Sequence, residues 1–140
     1  MYKIFIFSAL LFLGCITALP VPDPKIHAIP GQSKTQIFNK VQQWIVSNFR
    51  NGGNVIQFKD LAEGKIIAQG KTMISMPIGG FYYNFTWTID IKDGKVKIGY
   101  TGDDCGGAST CTRAFQKMDS MAQSMVQFIS GKSTGSENNW

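Results

Sequence analysis

The residues of this chain that could do chemistry are few and far apart. His27 is the only histidine, so neither a histidine-based catalytic triad nor a multi-histidine zinc site can be assembled around it. Asp103 and Asp104 are adjacent, and in an extended segment they would point to opposite faces, which suits a general acid and base poorly. The loop around them lacks the ligand positions of an EF-hand. The sequence therefore predicts no catalytic residue, no metal site and no cofactor.

A second apparent motif is the segment from Gly64 to Thr72, which ends in Gly-Lys-Thr like a phosphate-binding loop. A P-loop has four residues between its glycines and a helix after the Lys-Thr pair, so that backbone amides face the phosphates. Here five residues separate Gly64 from Gly70, and residues typical of strands flank the segment on both sides. We interpret it as part of a β-strand.

The first eighteen residues have the pattern of a secretory signal. Lys3 supplies the positive end, an apolar run extends from Ile4 to Leu13, and small residues follow it. The run is well short of the ~20 residues that a membrane-spanning helix needs. The sequence therefore predicts a signal peptide over residues 1–18 and export to the periplasm, the cell envelope or the exterior.

Two processing routes fit this leader. Cleavage after Ala18 would release a chain that begins at Leu19. Cleavage before Cys15 would instead place a lipid on that cysteine, because the run from Leu11 to Cys15 is similar to a bacterial lipobox. In either case the prolines of residues 19–32 favour an extended tether, and a membrane contact is expected only through the lipid.

The remaining cysteines support export. Once Cys15 is removed or lipidated, Cys105 and Cys111 form an even pair suited to an oxidising compartment, and we predict a disulfide between them. A redox pair would favour Cys-x-x-Cys spacing, whereas five residues intervene here, so the bond is predicted to be structural. A disulfide that closes so short a loop contributes roughly 2 kcal/mol to stability on the chain-entropy model.

The charge of the chain is mildly basic and scattered. The formal net charge is +5, and it falls to +4 when Lys3 leaves with the signal. The longest basic cluster comprises Lys92, Lys95 and Lys97, and Asp93 interrupts it at a predicted turn. A solvated turn explains this cluster better than a phosphate-binding stripe, so no nucleic-acid partner is expected.

The mature chain is predicted to begin with a short strand from Lys25 to Ile29 and a helix that Ser33 caps. Apolar residues then recur at helical spacing, which predicts a helix to about Phe49 with one buried face. The residues of this face are Ile37, Val41, Trp44, Ile45 and Phe49. Asn51-Gly52-Gly53 is predicted to stop the helix, because glycine readily adopts the left-handed conformation.

Strand-like segments fill the middle of the chain. They are Val55 to Lys59, Lys65 to Met76, Phe81 to Lys92 and Lys95 to Thr101. In the third segment large apolar residues alternate with polar ones, which predicts one buried and one solvated face. Asp93-Gly94 is a strong signal for a two-residue hairpin, so an antiparallel meander is expected.

The last predicted element is a helix from Thr110 to Ser130, capped by Thr110 or Thr112, with one apolar face. Residues 131–140 are polar and predict a flexible tail. The sequence thus predicts a single α+β domain over residues 33–130, in the order β-α-β-β-β-β-α. Four to five strands form a curved antiparallel sheet, and both helices cover one of its faces.

Several of these segments together resemble an uncharacterised bacterial exported family, a domain of unknown function with a TBP-like fold. The resemblance is carried by Trp44 to Phe49, Val55-Ile56, Asp60, Gly64-Lys65-Ile66, Phe85-Thr86, Ile89-Asp90-Ile91 and Lys92-Asp93-Gly94-Lys95. It covers roughly Ser33 to Thr101 and ends before the cysteine pair. It implies a curved antiparallel sheet with helices on one side, and it supplies no catalytic residues.

Two functions fit these features. The first is a non-enzymatic envelope domain that binds another envelope protein or a cell-surface component through the exposed positions Tyr82, Thr86 and Thr88. The alternative is a carrier or sensor of a small apolar molecule, held between the last helix and the sheet near Phe85, Trp87 and Ile89. The methionines of that helix, Met118, Met121 and Met125, are adaptable side chains that suit such a cavity or simply fill the core.

Overall fold

The computed structural model describes residues 19–50 and 52–132, so the predicted signal, with Cys15, and residues 133–140 of the predicted tail lie outside the described residues. Within these ranges the chain forms five strands and three helices. The strands are β1 (Lys25–Ala28), β2 (Ile56–Asp60), β3 (Lys65–Ser75), β4 (Gly80–Lys92) and β5 (Lys95–Gly102). The helices are α1 (Lys34–Asn48), α2 (Gly52–Val55) and α3 (Ala108–Ile129).

The strands form one antiparallel sheet in the order β1-β5-β4-β3-β2. The predicted meander is confirmed, and Gly94 has the positive φ of +71° that the hairpin between β4 and β5 requires. β1 pairs with β5 along its whole length, from Lys25 opposite Ile98 to Ala28 opposite Lys95. The first strand is therefore part of the sheet, and the folded unit includes residues before 33. The predicted α+β class is confirmed.

Helix α1 begins as its sequence predicts. The Ser33 hydroxyl accepts the backbone N–H of Gln36 at 3.2 Å, and the Gln36 side chain accepts the backbone N–H of Ser33 at 2.9 Å. This reciprocal pair satisfies two N–H groups that the helix cannot pair internally. The hairpin between β4 and β5 also fixes the same end, because the Asp93 carboxylate accepts the N–H of Lys34 at 2.7 Å.

The end of α1 differs from the prediction. Asn51-Gly52-Gly53 was expected only to stop the helix, but Gly52–Val55 forms the short helix α2 directly after it. A Cβ atom on Gly52 would lie 2.4 Å from the Cα of Val46. The glycine therefore lets the chain fold back against α1, a close approach that periodicity does not reveal.

The start of α3 also differs from the prediction. The N-cap residue is Gly107, so the expected capping by Thr110 or Thr112 is wrong. Thr110 occupies the third helical position, where its hydroxyl accepts the Gly107 N–H at 2.9 Å and donates to the Cys105 carbonyl. A disulfide joins Cys105 to Cys111, whose Cα atoms are 4.9 Å apart. The bond fixes the first turn of α3 to the loop before it.

The core lies between the sheet and the two long helices, which cover the same face. Inward residues of β4 form its centre, and Trp87 is fully buried. Its ring contacts that of Trp44 on α1, with centroids 5.7 Å apart, and that of Phe49 at 6.0 Å. On the same face of the sheet, Tyr100 of β5 packs against Phe115 of α3 with ring centroids 6.2 Å apart. The predicted one-sided burial of the sheet is thus observed.

Candidate functional site

The sheet surface opposite the helices, here called the outer face, is the first candidate surface. On β4 it carries the residues that alternate with the buried ones, and all of them are exposed or half-buried. Those residues are Tyr82, Asn84, Thr86, Thr88, Asp90 and Lys92. Tyr82 is 60% exposed, whereas Thr86 and Thr88 are half-buried between their neighbours on β3 and β5.

The outer face has two chemically different ends. At one end the Lys71 ammonium lies 4.8 Å from the centre of the Tyr82 ring, and Met73 pairs with Tyr82 across the strands. At the other end the Asp90 carboxylate lies between Lys65 at 3.5 Å and Lys97 at 3.8 Å. Because these ions are partly solvated, they contribute little stability, and they keep that end polar. The end that carries Lys71, Met73 and Tyr82, here called the aromatic end, is the stronger candidate for a binding surface.

A groove of about 1250 Å³ is the second candidate, on the helix side of the sheet. Its walls are the end of α1 with Phe49 and the middle of α3 with Met121 and Lys117, and Phe85 lies at its base. The two helices meet at the other end, where the Lys40 ammonium donates to the Ile129 carbonyl at 3.1 Å. The groove is therefore the space that opens where the helices diverge.

A smaller cleft of about 300 Å³ lies on the other flank of α3 and is the third candidate. The cleft separates α3 from β1 and β5 and is bordered by the chain that leads into β1. Its apolar lining comes from Ile98, Phe115, Met118 and Ala122. At its rim Lys25 forms an ion pair with Asp119 at 2.7 Å. A volume of this size matches the lower end of small-molecule pockets.

Three polar side-chain atoms near the centre of the sheet are buried without a partner in the described residues. They are the hydroxyls of Tyr83 and Tyr100 and the indole N–H of Trp87. Burial raises the pKa of the Tyr83 hydroxyl, and Asp103 raises it further. Burial likewise raises the pKa of Tyr100, with smaller contributions from Tyr83 and then Asp119. Buried polar groups normally form hydrogen bonds, so these atoms mark places where a partner would be favourable.

His27 and the segment from Gly64 to Thr72, which were considered for catalysis and for phosphate binding, lie at strands β1 and β3 of the sheet. His27 is half-buried on the edge strand β1, where burial, and secondarily Lys25, lowers its pKa. The segment from Gly64 to Thr72 enters β3, which confirms its interpretation as a strand. Among residues 19–50 and 52–132, no three His, Cys, Asp or Glu side chains are grouped closely enough to hold a metal ion.

The two adjacent aspartates organise the loop between β5 and α3. The Asp103 carboxylate accepts the side-chain amide of Asn84 at 2.6 Å, and its backbone N–H donates to the Asn84 carbonyl at 3.0 Å. The Asp104 carboxylate accepts the N–H of Gly106 at 2.9 Å. Each carboxylate thus supports the turn that ends at the disulfide.

Sequence analysis identified some of the residues that line the groove and the cleft, but it did not show how they are arranged. Of the residues expected to border a ligand, Phe85 and Met121 line the groove and Met118 lines the cleft. Trp87 and Ile89 are fully buried in the core. Tyr100 was not expected to border a ligand, because its contact with Phe115 joins a strand to a helix and leaves no local signal in the sequence.

A family model matches residues 25–102, which is more than half of the chain, and it is described as "Domain of unknown function (DUF4468) with TBP-like fold". The chain belongs to this family. The family description assigns no activity, and no curated protein matches the chain.

Two solved structures of similar fold agree with this assignment. A TBP-like protein from Parabacteroides distasonis is 13% identical and has a TM-score of 0.63, with 76% of this chain and 90% of that chain covered. A DUF4468 family protein from Bacteroides ovatus is 16% identical and has a TM-score of 0.53, with 86% and 94% covered. At these identities the likeness shows the fold.

The region matched by the family model includes the outer face but only part of the groove and of the cleft. It contains all five strands and α1, and it ends before Cys105. The outer face therefore lies wholly within the DUF4468 match, whereas the α3 walls of the groove and the cleft lie beyond it. The predicted departure from the family pattern after Thr101 coincides with the end of this match.

Proposed function

We propose that this DUF4468 protein is an exported, non-enzymatic binding domain whose outer face binds an envelope protein or a cell-surface component. The observation that carries the proposal is the aromatic end of the outer face, which no described element covers. Tyr82 is 60% exposed there and Met73 is 46% exposed. Aromatic and methionine side chains in such positions are typical of protein interfaces.

The edge of the sheet beside this surface supports the proposal. β2 pairs with β3 only from Lys65 to Ala68, so the stretch from Gln69 to Ser75 has β4 as its only neighbour among the described strands. An edge of this kind offers backbone donors and acceptors to an extended segment of a partner. The aromatic end and this edge are contiguous, because Met73 belongs to both.

A non-enzymatic role is supported by the chemistry of the described residues. The single histidine is on an edge strand, and the loop aspartates serve the turn before α3. The buried tyrosine hydroxyls have raised pKa values, so they stay protonated at neutral pH and do not supply a general base.

Export is supported by the disulfide between Cys105 and Cys111, which suits an oxidising compartment. No helix within residues 19–50 and 52–132 is long and apolar enough to cross a membrane. We expect the mature protein, analysed by intact mass measurement, to begin at Leu19 or to begin at Cys15 carrying a lipid. An unprocessed chain with freely alkylated Cys105 and Cys111 would contradict export.

Partner binding is tested by photocrosslinking in intact cells. A photoreactive residue at Thr88 should form an adduct with one envelope component, and the additional change Tyr82→Glu should abolish that adduct by placing a charge in the interface. Phe128, which is 44% exposed on α3, is the matched control position. We expect no adduct from Phe128 and no effect of Phe128→Glu on the Thr88 adduct. An adduct that persists with Tyr82→Glu would contradict the proposal.

A second candidate function is the transport or sensing of a small apolar molecule. The cleft beside α3 favours it, because Ile98, Phe115 and Met118 provide an apolar lining of suitable size between the last helix and the sheet. The cleft and the outer face lie on opposite sides of the sheet, so the two functions do not exclude each other.

A further inference from the structure

The hairpin between β3 and β4 projects beyond the rest of the sheet. β2 pairs with β3 only as far as Ala68, and β5 pairs with β4 only as far as Phe85. Beyond these points β3 and β4 have only each other as neighbours among the described strands. The buried side chains of Ile74 and Tyr83 fix this part of the hairpin to the core. The turn of residues 76–79 is therefore held as a fixed projection at one end of the molecule.

This turn presents apolar side chains to solvent. Ile78 is 95% exposed, the highest value for a large apolar residue in the part of the chain that the structure describes, and Pro77 beside it is also exposed. The turn carries no charge, and no acidic residue occurs between Glu63 and Asp90. A single exposed isoleucine is common on protein surfaces, so its meaning depends on the charges and the chain around it.

Two cations lie behind the turn. On the outer face the Lys71 ammonium lies 4.8 Å from the centre of the Tyr82 ring. From the side of the helices, Arg113 of α3 donates to the Ser75 carbonyl at 3.4 Å. Neither cation forms an ion pair with a carboxylate of residues 19–50 and 52–132. An apolar tip with unpaired cations behind it is complementary to an anionic lipid surface, where the tip enters the acyl boundary and the cations meet phosphate groups.

The chain before β1 leads toward the same end of the molecule. Lys25 lies opposite Ile98, and Pro24 lies against the next residue of β5, because a Cβ atom on Gly99 would be 2.7 Å from the Pro24 ring. The two residues before Pro24 border the same cleft as Thr112 in the first turns of α3. The chain therefore runs outward along β5, in the direction in which the hairpin between β3 and β4 projects.

The length of this chain matches the distance to the turn. Thr88, which pairs with Gly99, is eight residues from Gly80 at the turn, or about 26 Å at about 3.3 Å per residue. The nine residues from Cys15 to Asp23 would reach about 28 Å in the polyproline conformation that their prolines favour. A lipid on Cys15 would therefore reach the level of the turn and hold the turn at the membrane.

We propose that the turn of residues 76–79 inserts Ile78 into the surface of an anionic phospholipid bilayer, with Lys71 and Arg113 at the level of the phosphate groups. This rests on the export part of the proposed function and adds a membrane contact to the lipid expected on Cys15. Thr88 lies eight residues from Gly80 along β4, so this part of the outer face stays available to a partner on the same membrane.

The test measures how tightly the chain from Leu19, which contains every described element, binds to sedimented vesicles. Vesicles of phosphatidylethanolamine with one quarter phosphatidylglycerol provide the anionic surface, and phosphatidylcholine vesicles are the neutral comparison. We expect the native chain to bind the anionic vesicles at least tenfold more tightly than the neutral ones. The affinity should fall as the salt concentration rises, because salt screens the attraction between the cations and the phosphates.

Variants assign the binding to the turn. Ile78→Asp should lower the affinity for anionic vesicles at least tenfold, because burial of an isoleucine side chain supplies about that factor. Leu61→Asp is the matched control, since Leu61 is 41% exposed in the turn between β2 and β3 at the opposite end of the sheet and the charge change is the same. It should bind like the native chain. Circular dichroism shows that each variant is folded.

Two further comparisons test the cations and the insertion. Lys71→Gln combined with Arg113→Gln should lower the affinity at least fivefold, whereas Lys92→Gln, in the hairpin at the opposite end, should leave it unchanged. Brominated acyl chains should quench additional fluorescence from Ile78→Trp and none from Leu61→Trp, because only the first side chain enters the bilayer.

The outcomes separate this proposal from the proposed function. If the native chain does not bind anionic vesicles, or if Leu61→Asp weakens binding as much as Ile78→Asp, insertion of the turn is overturned. A photoreactive residue at position 78 that forms an adduct with a protein and none with lipid in intact cells would assign the turn to a protein partner and would also overturn it. The adduct from Thr88 is the separate readout of the outer face. If that adduct forms without vesicle binding, the proposed function stands and the membrane contact does not.

Discussion

Replacement of Gly64 by alanine is expected to lower the free energy of unfolding by about 3 kcal/mol or more, because two independent costs add. Gly64 has a φ of +67°, a left-handed conformation that an L side chain disfavours. Its new Cβ would also lie 2.1 Å from the carbonyl oxygen of Ile91. That oxygen belongs to the backbone of β4, so the sheet itself would have to shift. Urea unfolding followed by circular dichroism measures the loss.

Gly79 provides the matched control. It also has a left-handed φ, of +74°, but a Cβ built there meets no atom within 4 Å. Gly79→Ala therefore adds only the conformational strain and is expected to lose about 1 kcal/mol. Equal losses for the two variants would show that the backbone of Ile91 moves aside freely, and would contradict the close packing of this turn on β4.

Trp87→Ala is expected to lose about 3 to 5 kcal/mol, the usual cost of removing a large aromatic side chain from a core. The ring is fully buried and lies within 6 Å of three other aromatic rings. The centroid distances are 5.7 Å to Trp44, 6.0 Å to Phe49 and 5.0 Å to Phe85. The loss should appear as a lower urea midpoint.

Trp87→Phe distinguishes packing from hydrogen bonding at the same position. Phenylalanine keeps much of the ring and removes the buried indole N–H, which has no partner in the described residues. We expect it to cost less than half as much as Trp87→Ala. A loss as large as that of alanine would mean that the indole N–H forms a stabilising hydrogen bond and that its burial is compensated.

The elements of the fold were predictable because their signals are local. The alternation of apolar and polar residues along β4 predicted its buried and solvated faces, and Asp93-Gly94 predicted the hairpin to β5. Ser33 predicted the start of α1, where it and Gln36 cap the helix through two reciprocal hydrogen bonds. In each case the residues that decide the structure lie within a few positions of one another.

The features that were mispredicted depend on a covalent bond and a close backbone approach between residues six positions apart, which the pattern of apolar and polar residues does not encode. Gly107 caps α3 because the disulfide and Thr110 hold the preceding loop, which a search for capping side chains does not detect. Gly52 starts α2 because the chain must approach Val46 closely. Neither constraint is visible in the local pattern of apolar and polar residues.

The candidate surfaces were predictable to different extents. Tyr82 follows from alternation along a single strand, so the outer face could be assigned from sequence. The cleft requires Tyr100, Phe115 and the ion pair of Lys25 with Asp119 to come together from three separate elements. Only the three-dimensional arrangement shows that these residues border one cleft.

The pairing of β1 with β5 has a consequence for the order in which this protein folds. β1 is the first strand to be synthesised, yet its hydrogen-bonding neighbour is made only after α1, β2, β3 and β4. The hairpins from β2 to β5 can form as soon as they emerge, whereas the N-terminal strand must wait and then close a long loop. An N-terminal stretch that joins the sheet late remains extended and accessible during biogenesis, which is when a leader ahead of it would be processed.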